Sequence, residues 1–515
     1  MPRTHFIIRR FTIYEICNYG LLLSLVTIVA FTYGSYGFTI DEDVDYLKAM
    51  RIAEFFVSGG SKREQILTLD VINIYGAMPD MLALVLQKLV PGLSFDSRHL
   101  VSALFGVAGI YYTYRIGSAF IAPSVGFLAA LLLAFNPMWF GYMFINAKDI
   151  PFAATLLAAF YYSLCTLTGR YESALSWIRT RLAIGLLAAT KLIGIFVLGF
   201  IGVMTLAAFI FVPSRARLQI DHAFFKRLLM IVFSGLLGCL VCFAVFWPQF
   251  FFWGPAQLVY VVRLFMDYDQ WHGYVQIYGS YFSADMVPWY YMCTYFVICM
   301  PLFLVLLTAV GTAVGVLNRE PFIVSSIAVC LTLFAYQAAT GARVAYNGYR
   351  HFLFLLPFIT LVAAYPLELL LESRFFIIRS AALAVTTMGL IATAVSMYQL
   401  FPYQYSFYND LVGGIQGADR KYYIDVWRSA LREALRKLER IEGARNSNIV
   451  RIYTCGAALN FTDYPRFRLV NQQDDADYIV ALRRVCDPQI LQVRNLPVVG
   501  EVRRQGVLFA AIYSR

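Results

Sequence analysis

The chain is short of charge. Asp, Glu, Lys and Arg make up 14% of its 515 residues and hydrophobic residues 60%, where soluble proteins carry about 25% and 45–50%. That balance excludes an ordinary soluble domain and indicates a polytopic membrane protein. Histidine is scarce too: five copies, none close to another, make a His-rich metal centre a poor reading. The sequence has no Gly-rich P-loop, no GxSxG elbow and no HExxH, so three familiar chemistries lack their residues. Internal repeats and low-complexity segments are also missing. No small-residue cleavage site separates the first apolar run, Leu21 to Phe38, from the acidic cluster behind it. That run, preceded by Arg3, Arg9 and Arg10, is expected to stay as a span.

The net charge is +11, but much of it lies in short segments between apolar runs, where it sets membrane orientation. Nucleic acid is therefore not an expected partner. With roughly 20 apolar residues per crossing, hydropathy gives about eleven spans, near 17–38, 99–118, 122–140, 151–168, 181–190, 192–212, 229–250, 289–310, 321–339, 352–371 and 380–399. Lys191 interrupts the fifth and sixth. In mid-bilayer its ammonium would cost about 3 kcal/mol, so a short broken span with Lys191 near the outer surface is expected. Arg170, Arg179, Arg181, Arg215, Arg217, Lys226, Arg227, Arg374 and Arg379 fall on the N-terminal side, which reads as cytoplasmic. Loops 39–98, 141–150, 251–288 and 340–351 and the tail face outward.

The expected fold is an all-α polytopic membrane domain over 1–399 with a small extracytoplasmic α/β domain over 400–515. In the tail, "DVWRSALREALRKLERIEG" (425–443) has helical period. "NIVRIYTCG", "ADYIVALRR" and "GVLFAAIYSR" read as strands. Cys455 and Cys486 lie in this tail and are free to pair if it meets an oxidising compartment.

Four polar stretches carry the chemistry. In "FTIDEDVDYLKAM" (38–50), Asp41 and Glu42 either mark the exit from the bilayer or supply a carboxylate base. Asp43 and Asp45 read as solvated. In "NPMWFGYMFINAKDIPF" (136–152), Asp149 before Pro151 is a helix cap or a second acid on the face of Asp41. Lys148 beside it would screen it or contact a phosphate. In "ARVAYNGYRHFLFLLP" (342–357), Arg343, Arg350 and His351 either snorkel or hold the phosphate of an anionic lipid. "LFPYQYSFYNDLVGGIQGADRKYYIDVW" (400–427) is an interfacial belt or a sugar platform. There Tyr405, Asn409 and Asp425 are the candidates for the acceptor or sugar side. No cofactor is expected; a divalent metal on Asp41, Glu42 and Asp149 is an alternative the sequence does not favour.

In this order, "DE", "NxKDxP", "NGxRHFLFLLP" and "PYQYxxxNxLVGGxxGA" resemble the bacterial phospholipid-carrier-dependent glycosyltransferases, over roughly residues 10 to 430. These are relatives of the protein O-mannosyltransferases and the lipid A aminoarabinose transferase, with the GT-C fold. The resemblance implies a polyprenyl-phosphate-linked sugar, hexosyl or pentosyl, as donor. Its acceptor would be a lipid, glycan or protein at the outer face of the inner membrane. It implies that Asp41, with Glu42, is the catalytic carboxylate, that Asp149 is the second acid, and that Arg350, His351 and Lys191 hold the lipid phosphate. A single displacement would invert the anomeric centre. Two departures stand out: "PWYY" (288–291) where relatives carry "PWHY", and "DVWR" (425–428) where they carry "DYWG". The first removes a metal ligand or proton carrier. The rival class is a transporter or flippase, which would favour repeated halves and midplane ionisable groups. A third, a ligand sensor, would not need so many spans.

Overall fold

The computed structural model describes residues 12–68, 75–90, 93–171, 173–212, 220–266, 273–283, 286–340, 347–443, 449–483, 493 and 495–515. Arg343 and Cys486 lie outside the described residues. The chain opens with α1 (Ile13–Thr32), started by a capping box between Thr12 and Glu15. Outside the apolar core come α2 (Ile40–Val57), α3 (Glu64–Leu67) and α4 (Met78–Leu89). Eight helices follow: α5 (Ser97–Phe120), α6 (Pro123–Ala134), α7 (Pro137–Ile145), α8 (Asp149–Leu167), α9 (Ala174–Thr190), α10 (Ile193–Phe211), α11 (His222–Phe246) and α12 (Pro255–Met266). A hairpin of β1 (Tyr274–Ile277) and β2 (Ser280–Ser283) leads to α13 (Tyr291–Ile298), α14 (Leu302–Leu317), α15 (Pro321–Thr340), α16 (Leu356–Leu371) and α17 (Phe376–Leu400).

Each of the eleven expected segments is helical, yet among the described residues only seven helices are long and apolar enough to cross a membrane. Two bent pairs, α6 with α7 and α13 with α14, raise that to nine. The two remaining segments are α5 and α9. The latter has 17 residues, at the short end of what crosses a bilayer. The expected break holds its place: Lys191 is extended (φ −147°, ψ 121°), ends α9 and precedes α10.

Burial ranks the helices. In α8, and in α16 taken with the 3-10 turn before it (Arg350–Leu371), 89% of the apolar window is buried, against 17% in α1 and α17, so the first two form the centre and the last two face lipid. Small residues permit the close contacts that packing in a bilayer rewards: Gly185 of α9 and Gly238 of α11 meet with no room for a Cβ on either.

The tail adds α18 (Gly414–Ala418), α19 (Ala430–Glu442) and strands β3 (Val450–Tyr453), β4 (Phe467–Leu469), β5 (Tyr478–Leu482), β6 (Val498–Arg504) and β7 (Val507–Ser514). Their sheet runs β4-β3-β5-β7-β6, parallel across β4, β3 and β5 and antiparallel beyond. Leu431, Leu435 and Leu438 of α19 are fully buried, the face expected from their spacing. Arg432 ties this helix to the membrane part: it pairs with Asp96 and donates to the Tyr36 carbonyl (2.9 Å). Cys455 is disulfide-bonded, whereas the seven cysteines in or beside the spans are free.

Candidate active site

The site forms where four chain breaks meet. Helix α2 starts at Ile40 because Glu42 reaches back to the Thr39 N–H (2.7 Å), half of a capping box. This sets Asp41 in its first turn. Asn146, between α7 and α8, accepts from the Asp149 N–H and donates to the Asp149 carboxylate, both at 2.8 Å. Lys191 comes from the α9–α10 break. Arg350 and His351 come from the 3-10 turn before α16.

Together these breaks assemble one cluster of alternating charge. Asp41 lies 3.6 Å from Lys148 Nζ and 3.7 Å from Arg350 Nη1. Lys191 pairs with Asp149, and His351 Nδ1 lies 3.7 Å from the same carboxylate. Arg350 Nε donates to His351 Nε2 (3.1 Å) while its guanidinium stacks over Trp427 (4.5 Å). The two acids differ in freedom. The Asp149 side chain is 5% exposed and each of its oxygens already accepts, from Asn146 and Lys191; the Asp41 side chain is 35% exposed, with both cations beyond hydrogen-bond distance. Asp41 therefore keeps lone pairs for an incoming group.

The rest of the acidic stretch corrects the sequence reading. Asp45, expected in solvent, is 3% exposed and pairs with Lys148 (3.1 Å) and Lys48 (3.3 Å). Burial alone would raise its carboxyl, but Lys148, Lys48 and Arg98 bring it down to about 2. Burial likewise disfavours the Lys148 ammonium, and Asp45 and Asp41 outweigh that and raise it. Asp43 accepts from the Ala458 and Leu459 N–H groups of the tail (2.8 and 3.1 Å). Glu42 faces away from the cluster, to His99 (3.2 Å) and Arg98 (3.6 Å). Arg98 continues to Asp80 (2.8 Å), which also meets Lys48 (3.1 Å).

Sequence reasoning missed Lys48, Asp80, Arg98 and His99. An "RH" pair opening an apolar helix was a usable signal, since buried charges come paired. The carboxylates of Asp41, Glu42 and Asp149 do not converge, and no group of three potential metal ligands occurs among the described residues. Tyr405, Asn409 and Asp425 are buried and bonded to protein groups. Tyr405 donates to Asp425, and Asn409 donates to the Val297 and Met300 carbonyls (2.7 and 2.8 Å). Asp425 also accepts from the Ser429 and Ala430 N–H groups (3.0 and 3.2 Å).

No protein-family model matches the chain, and no curated protein matches it in sequence. Solved structures do. ArnT from Cupriavidus metallidurans in the apo state is 13% identical, covers 97% of each chain and superposes with a TM-score of 0.50. The same protein bound to undecaprenyl phosphate gives 0.52 at 13% identity, over 96% of this chain and 97% of that one. An Archaeoglobus fulgidus oligosaccharyltransferase in the apo form gives 0.48 at 12% identity, over 88% of this chain and 65% of its own, and carries no argument. At these identities the likeness speaks for architecture, and it does so across nearly the whole chain: this protein has the GT-C membrane fold.

Proposed function

We propose that the protein is a glycosyltransferase that moves a sugar from a polyprenyl-phosphate carrier to a lipid, glycan or protein acceptor at the outer face of the bacterial inner membrane. The observation that carries this reading is Asp41: an accessible carboxylate set between two cations at the start of α2. The fold supports it, as does the neighbour solved with undecaprenyl phosphate. A disulfide at Cys455 supports an oxidising compartment for the tail, with the N-terminus cytoplasmic.

Asp41 takes the proton of the acceptor O–H as that oxygen attacks the anomeric carbon. The bond from the anomeric carbon to the carrier's phosphate oxygen breaks, and its electron pair stays on the phosphate. Lys148 and Arg350 lie beside Asp41 to stabilise that growing charge, Arg350 through a planar fork suited to phosphate. The phosphate is a good leaving group, so no protonating acid is needed. Asp149, held by Lys191 and approached by His351, completes the charged cluster. One displacement inverts the anomeric centre; retention in the product by NMR would contradict this.

The test is transfer in proteoliposomes with a panel of polyprenyl-phosphate sugars and extracted membrane acceptors, reading free polyprenyl phosphate by mass spectrometry. Wild type should release it, and Asp41→Asn should do so about 10²- to 10⁴-fold more slowly at equal membrane abundance. Labelled lipid crossing the bilayer with no donor consumed would instead make the protein a flippase.

A further inference from the structure

Lys148 sits on the short turn between α7 and α8 at the end of a flexible four-carbon stem, 28% exposed. A lysine so placed has no fixed position of its own. Its nearer carboxylate is Asp45 at 3.1 Å; Asp41 is at 3.6 Å. Asp41 and Asp45 are one helical turn apart on α2, so one ammonium bridges both. Tyr75 adds a ring face 6.0 Å from that ammonium. Asp45 is itself fixed from behind, because Lys48 joins it to Asp80, Arg98 joins Asp80 to Glu42, and Glu42 meets His99. From Asp45 inward every member of this chain is nearly out of water, and apolar residues of similar volume would stabilise such a place at least as well. Its accessible end is Lys148, beside Asp41.

We propose that Asp45 is a positioning residue, which holds the Lys148 ammonium at the edge of the Asp41 carboxylate while the buried ion-pair chain behind it keeps Asp45 in place. This rests on the glycosyltransferase reading for its consequence, and on geometry alone for the placement.

Turnover and a double-mutant cycle test the consequence. Asp45→Asn should lower kcat about tenfold, Asp45→Glu should recover most of it, and Lys148→Met should fall at least as far as Asp45→Asn. Adding Asp45→Asn to Lys148→Met should cost less than about twofold more, because groups acting as a unit are not additive. Independent, multiplying losses would overturn the proposal, as would an Asp45→Asn protein at the wild-type rate. If Asp45→Asn fails to fold, Asp45→Asn with Lys48→Met removes the buried cation along with its partner and carries the same expectation. A second readout needs no turnover. Acetylation of Lys148, followed by mass spectrometry, should quicken severalfold in Asp45→Asn and not in Asp45→Glu. An unchanged rate overturns the placement even if the wild type transfers no sugar.

Discussion

Asp41 and Glu42 are neighbours with opposite fates, and the reason is helical geometry. Adjacent side chains on an α-helix diverge by about 100°, so one carboxylate faces the cluster and the other enters the protein. Glu42 is 2% exposed between Arg98 and His99. Removing its charge takes from the buried Arg98 the second of its two carboxylates, Asp80 remaining at 2.8 Å, and leaves His99 with a weaker partner, a change that costs about 1–3 kcal/mol. Glu42→Gln is therefore expected to lower the midpoint of thermal unfolding in detergent, with turnover per folded molecule near wild type. Asp41→Asn should do the reverse. If Glu42→Gln stopped transfer without loss of stability, Glu42 would belong to the chemistry. None of this was legible in "DEDVD", because its partners come from positions 80, 98, 99 and 148; a linear pattern shows that charges are present, not which way a helix turns them.

At the scale of elements, legibility follows periodicity. Long apolar runs located the helices of all eleven expected segments, nine of which qualify as spans among the described residues when each bent pair counts as one, and the leucine spacing in 425–443 located α19, which starts later, at Ala430, since both patterns are local. The edge strands β4 and β6 were not read, having fewer alternating apolar residues than β3, β5 and β7. The joint between the last span and α19 shows what locality misses. Asp425, a candidate for the sugar side by composition, clamps the turn at Tyr405 to the start of α19. Burial pushes its carboxyl up to about 6 from 3.8, against the lowering effect of its hydrogen bonds. A group that binds its proton more tightly when folded stabilises the fold at low pH, and that contribution is lost as pH rises from about 4 through about 6. The expected loss is about 2–3 kcal/mol. The stability of the wild type in detergent should fall off across that window, and Asp425→Asn should flatten the slope. Parallel pH profiles for the two proteins would show that Asp425 does not titrate there.

For the molecule as a whole, every charged member of the candidate site lies at a boundary between elements: the start of α2, the turn before α8, the break after α9 and the turn before α16. A transporter that binds its cargo at midplane has no need of this arrangement, whereas an enzyme meeting a lipid-borne head group at the surface requires these boundaries on one side. Orientation therefore has a sharp consequence. The proposed topology puts the loop after α2 outside and the turn between α16 and α17, flanked by Arg374 and Arg379, inside. Single-cysteine reporters at Ser61 and Ser373, in a background whose free thiols have been replaced, separate the alternatives. In intact cells a membrane-impermeant maleimide should label Ser61→Cys and not Ser373→Cys, and lysis should expose both. The reverse pattern would place Asp41 and its cations on the cytoplasmic side. A carboxylate there would meet a donor before it had crossed the bilayer, and the outer-face reaction would have to be abandoned even with the chemistry at Asp41 intact.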